Sequence, residues 1–118
     1  MSGYLTTHVL DTARGCPAAG MQIALYRLEG GSRHKLTQVV TNADGRTAAP
    51  ILPPEAFAPG IYELVFQVGA YFTATGRGAQ PPAFLDEIPV RFGLADQGAH
   101  CHVPLLVSPY GYTTYRGS

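Results

Sequence analysis

The stretch His100-Cys101-His102-Val103-Pro104-Leu105-Leu106-Val107 alternates with a period of two. Cys101, Val103, Leu105 and Val107 fall on one face, and His100, His102 and Pro104 fall on the other. A strand with one buried face has this pattern, whereas an amphipathic helix repeats its apolar positions every three to four residues. Pro109 and Gly111 then turn the chain. The closing run Tyr110-Gly111-Tyr112-Thr113-Thr114-Tyr115-Arg116-Gly117-Ser118 is rich in Tyr and β-branched Thr, which suits a strand better than a loose tail. If that run is a strand, a sheet holds Ser118 in place and makes it a candidate for a site.

The same period recurs upstream. In Tyr4 to Leu10, Leu5 and Val9 share one face while Tyr4, Thr6 and His8 share the other. Asp11 to Pro17 is turn chemistry, and Met21, Ile23 and Leu25 mark a second strand that Gly30-Gly31-Ser32 terminates. Leu36 to Thr41 reads as a third strand. Asn42-Ala43-Asp44-Gly45 is a tight turn, and Arg46 follows it directly. Pro50, Pro53, Pro54 and Pro59 leave room for a short edge strand at most between Thr47 and Pro59. Ile61 to Val68 alternates again. Gly69 to Gly76 suits a short helix stopped by Gly76, Gly78 to Pro82 is a loop, and Ile88, Val90 and Phe92 mark a further strand. Seven or eight short strands with one short helix predict an all-β, antiparallel β-sandwich occupying residues 1–118 as a single domain.

Composition agrees with one packed domain: 118 residues, 46% hydrophobic and 14% charged. Lys+Arg and Asp+Glu balance at 8 each, so there is no basic field to gather nucleic acid or anionic lipid. No run approaches the roughly 18 apolar residues that span a bilayer, and Met1-Ser2-Gly3-Tyr4 lacks the cationic and apolar regions of a secretory signal. Cys16 and Cys101 have no CxxC spacing, which points to reduced thiols and a cytoplasmic location.

Parity also constrains the chemistry. His8 and His102 both lie opposite their strands' apolar faces, so neighbouring strands would put the two imidazoles on one outer surface. His34, between charged neighbours in a loop-like stretch, reads as solvated. His100 shares the face of His102, and its pattern fits either a partner of His102 or plain solvent exposure. A His-x-His pair can hold a metal on a strand, yet no third ligand stands at a telling spacing. Arg46 is either a solvated turn residue or an oxyanion clamp, since its planar fork pairs bidentately. Asp11 and Glu87 read as turn or loop residues without a paired-carboxylate site. GxSxG, a phosphate-binding glycine loop and CxxC are all lacking.

Several stretches together resemble the transthyretin-like family. They are Leu5-Thr6-Thr7-His8-Val9-Leu10-Asp11, Gly15-Cys16-Pro17-Ala18, Thr41-Asn42-Ala43-Asp44-Gly45-Arg46, Glu87-Ile88-Pro89-Val90-Arg91-Phe92, His100-Cys101-His102-Val103-Pro104-Leu105-Leu106 and Ser108 to Ser118. The ending Tyr115-Arg116-Gly117-Ser118 is similar to the hydrolase branch, because hormone-carrying members look different there and lack the His and Arg set. The resemblance implies hydrolysis of 5-hydroxyisourate in urate degradation, with no metal or organic cofactor. It implies a catalytic set of His8, Arg46, His102 and Ser118, with His8, Arg46 and Tyr115 holding the substrate. It also implies a homotetramer, a dimer of dimers whose outer sheet faces enclose a channel. His102, oriented through Ser118, is the expected base toward water, although which histidine takes the proton stays open. Two departures stand out: Cys101 replaces a common Tyr on the core face, and Thr113 replaces a frequent Ser, and neither touches the implied chemistry. The rival readings are a transthyretin-type carrier of an aromatic ligand in the same channel and a structural sandwich without a ligand.

Overall fold

The computed structural model describes residues 3–76, 81–96 and 98–117. Eight strands run in order: β1 (Tyr4–Asp11), β2 (Cys16–Pro17), β3 (Gln22–Glu29), β4 (Ser32–Val40), β5 (Gly60–Gln67), β6 (Glu87–Leu94), β7 (His100–Ser108) and β8 (Gly111–Thr114). One α-helix, α1 (Val68–Ala74), follows β5, and a short 3₁₀ turn occupies Pro54–Ala56. The strands form two four-stranded sheets of order β2-β1-β7-β8 and β4-β3-β5-β6. The all-β sandwich expected from the period-two pattern is therefore present.

Three features refine that expectation. The first is that β1 pairs with β7 in parallel, while the other strand pairings among the described residues are antiparallel. Alternation reports which face a residue occupies and carries no information on strand direction. The second is that β4 starts at Ser32 rather than Leu36, and His34 sits on it opposite Arg27. Gly30-Gly31 forms a two-residue hairpin turn that pairs Glu29 with Ser32, so the new strand begins at once. Exposure of Ser32 through Leu36 on both faces of this edge strand erases the alternation that marks a strand in sequence. The third is that β8 is shorter than the expected closing strand, ending at Thr114.

The inner faces meet in one core. Leu5, Val9, Cys101, Val103, Leu105 and Val107 from the first sheet pack against Ile23, Leu25, Leu64, Phe66, Ile88 and Val90 from the second. Val68, Tyr71 and Phe72 of α1 close one end. Each such aliphatic or aromatic side chain stabilises the fold by about 1.5–3 kcal/mol when fully buried. No helix among the described residues is long and apolar enough to cross a membrane.

Asp11 is not the turn residue expected from sequence. It ends β1 fully buried, where Oδ2 accepts from Tyr71 Oη at 2.8 Å and Oδ1 accepts from the Ala13 and Arg14 amides at 3.1 and 3.0 Å. The carboxylate thus ties α1 to the first sheet. Burial, then the Asp11 carboxylate, push the Tyr71 phenol up to about 12. Its folded pKa lies above the ordinary 10.0, so this stabilisation is complete below pH 10 and is lost as pH rises towards 12. Tyr71→Phe should cost about 1–3 kcal/mol at pH 7. Urea titrations at rising pH should then show a smaller alkaline loss for the variant than for the wild type.

Candidate active site

The parallel register builds the site. Tyr4 faces His100, Thr6 faces His102 and His8 faces Pro104 across β1 and β7. Because side chains alternate, Tyr4, Thr6 and His8 share the sheet's outer face with His100 and His102. The His8 and His102 ring centroids lie 6.5 Å apart. The shared surface expected from parity is thus present, and all these side chains but Pro104, which is buried, are half-buried.

Arg46 reaches the same face through its turn. Asn42 Oδ1 accepts from the Asp44 amide at 2.9 Å and the Arg46 amide at 3.2 Å, an Asx arrangement that shapes the loop. Gly45 (φ +74°) lets the turn sit on β1: a Cβ there would lie 2.3 Å from the Val9 carbonyl oxygen, which only glycine tolerates. The Gly45 carbonyl accepts from the Val9 amide at 2.8 Å, and Arg46 makes a β-bridge with His8.

His8 Nε2 stands 2.9 Å from the Asp44 carbonyl oxygen. A carbonyl only accepts, so the His8 proton sits on Nε2. Burial first, and then the Arg46 guanidinium, lower the His8 pKa below the ordinary 6.5. Burial, Arg46, His100 and His8, in that order, lower His102 as well. Both rings are neutral at pH 7, the form in which an imidazole can take a proton.

The end of the chain contributes through its backbone. Leu105 faces Thr114, and three residues further along each strand His102 faces Gly117 in the same register. The Gly117 amide donates to the His102 carbonyl at 2.7 Å. A Cβ on Gly117 would meet His102 Cδ2 at 2.8 Å and its Cβ and Cγ at 3.3 Å, so glycine allows the strand to lie against the imidazole. Gly117→Ala should displace the ring. An offset of about 1 Å in a catalytic group can cost ~10²-fold in rate, so turnover should drop while the urea midpoint stays near that of the wild type.

Ser118 lies outside the described residues. Tyr115 is 57% exposed and lines a groove of about 250 Å³ between the β6 and β8 edges, with Val90, Phe92 and Cys101. No hydrogen bond joins Tyr115 to the histidines among the described residues. The structure therefore brings His8, Arg46 and His102 together and places Tyr115 in a groove that none of the three lines.

Three residues not assigned a role from sequence belong to the cluster. Thr6 Oγ1 lies 2.7 Å from His100 Nε2 and 2.7 Å from His102 Nδ1. Tyr4 stacks on His100 with ring centroids 4.2 Å apart and planes 11° from parallel. Parity had already placed Tyr4 and Thr6 beside His8, but their neighbours on β7 depend on a strand pairing that periodicity does not supply. Among the described residues no three His, Cys, Asp or Glu side chains are grouped to hold a metal ion. A larger cavity of about 640 Å³ lies elsewhere, between β4 and residues 47–53, and is lined mainly by apolar groups such as Leu36, Val40 and Ile51.

A neutral imidazole pair beside a guanidinium can activate a water and stabilise the oxyanion formed when that water adds to a carbonyl. The chain is similar to several known proteins. 5-Hydroxyisourate hydrolase 2 of Rhizobium meliloti (strain 1021) is 59% identical over 117 residues, covering 99% of this chain and 98% of the relative. The crystal structure of an (S)-allantoin synthase superposes with a TM-score of 0.92 at 46% identity, covering 99% of this chain and 44% of that longer one. Sea bream transthyretin in complex with thyroxine gives a TM-score of 0.86 at 28% identity, covering 96% of this chain and 93% of that one. The family model described as HIUase/Transthyretin matches residues 5–117, and this chain belongs to that family.

Proposed function

We propose that this protein is a cofactor-independent 5-hydroxyisourate hydrolase of urate degradation, cleaving a cyclic amide C–N bond. The observation that carries the proposal is the meeting of His8, Arg46 and His102 on one half-buried sheet face in a chain 59% identical to a named hydrolase. His102 takes a proton from water as the water oxygen adds to the ring carbonyl. Arg46 and His8 hold the substrate oxygens and the developing oxyanion, the His8 Nε2–H turning from the Asp44 carbonyl to the substrate. Collapse of the tetrahedral intermediate breaks the ring C–N bond, and the proton on His102 passes to the departing nitrogen. The product is the ring-opened 2-oxo-4-hydroxy-4-carboxy-5-ureidoimidazoline. Tyr115 helps position the ring, and Ser118 orients the base.

The proposal includes a homotetramer, because the site lies on an open sheet face and a facing subunit would exclude water, strengthening each hydrogen bond to charge. A cytoplasmic location belongs to the same reading and is supported by two free thiols, Cys16 and Cys101. The test is spectrophotometric decay of freshly generated 5-hydroxyisourate, which the protein should accelerate. Decay at the spontaneous rate, together with saturable binding of an aromatic ligand, would instead favour a carrier, the reading supported by the likeness to sea bream transthyretin. Light scattering checks the tetramer separately.

A further inference from the structure

The Thr6 hydroxyl has one hydrogen and two imidazole neighbours. It stands 2.7 Å from His102 Nδ1 and 2.7 Å from His100 Nε2, with no other hydrogen-bond partner among the described residues. A hydroxyl donates once and accepts twice. If Thr6 donates to His102 Nδ1, the His102 proton must sit on Nε2, and the ring has no basic nitrogen left for water. If Thr6 donates to His100 Nε2, it must accept from an Nδ1–H of His102, and His102 Nε2 keeps its lone pair. Whenever the Thr6 hydrogen is given to one of the two rings, the tautomers of two histidines on one strand are thus coupled through a third residue on another.

We propose that Thr6 and His100 are positioning residues that hold His102 as its Nδ1–H tautomer, so that Nε2 is the basic nitrogen. This deepens the hydrolase reading and rests on it for the role of His102. One observation favours this direction of the chain of hydrogen bonds. Arg46 makes a β-bridge with His8, whose ring centroid lies 6.5 Å from that of His102, and a nearby cation favours a lone pair over an N–H on the nitrogen not bonded to Thr6. His100 is held flat against Tyr4, which keeps its Nε2 at Thr6 whichever way that bond runs. The charged and titratable groups facing His102 are Arg46 from the turn after β4, His8 from β1 and His100 from its own strand. When His102 Nε2 takes a proton, the Thr6 oxygen already accepts from Nδ1–H and the imidazolium keeps that bond.

The experiment combines tautomer-resolved ¹⁵N NMR of the histidine side chains, recorded on the substrate-free full chain, with steady-state kinetics. Wild-type His102 should carry its proton on Nδ1 above its pKa. Thr6→Val keeps the β-branched shape and removes the hydroxyl, and it should shift His102 towards the Nε2–H form. His100→Phe keeps an aromatic ring against Tyr4, frees the Thr6 hydrogen to turn to His102, and should do the same. Both should lower kcat about ten- to hundredfold with KM within about threefold, the signature of a contact made mainly in the transition state. Thr6→Ser should restore the wild-type tautomer and rate. The acid limb of kcat/KM should move to lower pH in Thr6→Val, because the imidazolium loses an acceptor. An Nδ1 without a proton in the wild type, or an acid limb that moves up, overturns the proposal, since either means that Thr6 donates to His102. An Nδ1–H tautomer in a protein without hydrolase activity supports the relay and overturns the hydrolase reading instead.

Discussion

His102→Ala should lower kcat by about 10²–10⁴-fold, the range for loss of a general base, and leave the fold intact. The side chain is half-buried on the outer sheet face, and its strand is held by Leu105 and Val107, both fully buried, so little packing is lost. The pH profile supplies a second, independent readout. In the wild type the basic form of His102 disappears as pH falls through a pKa below the ordinary 6.5, so the acid limb of kcat/KM should lie below that of a free imidazole. In the variant that limb flattens because the group that titrates is gone. The substrate-decay assay between pH 5 and 8 measures both quantities. A rate within threefold of wild type would remove His102 from the mechanism, whatever the profile.

Arg46→Ala comes next in size. Loss of one donor to a developing oxyanion costs on the order of 10²–10³-fold, and Arg46 is exposed on a turn whose shape comes from Asn42 and the backbone, so the loop keeps its form. The guanidinium also lowers both His8 and His102, so its removal should raise their pKa values and carry the acid limb of kcat/KM up in pH. Arg46→Lys separates the two effects. Lysine restores the positive charge, and with it the acid limb, but not the planar fork that holds two oxygens, so the rate recovers only in part. An acid limb in the alanine variant that stays in place would show that Arg46 does not act on the histidines.

The placement of His8 and His102 on one surface was legible from the sequence, because parity along each strand is a local property of Tyr4 to Leu10 and His100 to Val107. What parity lacked was the neighbour. The parallel pairing of β1 with β7 gives Thr6 its two imidazole partners, and that pairing is set by the packing of the whole sandwich. Asp11 was misplaced for a related reason: a carboxylate at the edge of Gly/Pro turn chemistry reads as polar loop, and its partner Tyr71 is 60 residues away on a helix. His34 was hidden by composition, since an edge strand exposed on both faces has no alternation to detect. Arg46, by contrast, was recoverable from its turn, where Asn42 and Gly45 carry the geometry in their chemistry. The site residues came from the family likeness laid over that frame. The structure gathers three of them, places Tyr115 in a separate groove, and adds Gly117 as the residue whose missing side chain makes room for His102.

The parallel pair also dictates when the site can exist during folding. Thr6 and His102 are 96 residues apart in the chain, whereas β3 and β4 meet across a two-residue turn. Closing a long loop is entropically slow relative to forming a hairpin, so the second sheet can assemble while the first is still incomplete. The imidazole cluster has no native precursor until β7 docks on β1. Recovery of catalytic competence on refolding therefore reports the closing of the first sheet, and a chain that has its hairpins but not this pairing is structured and inert.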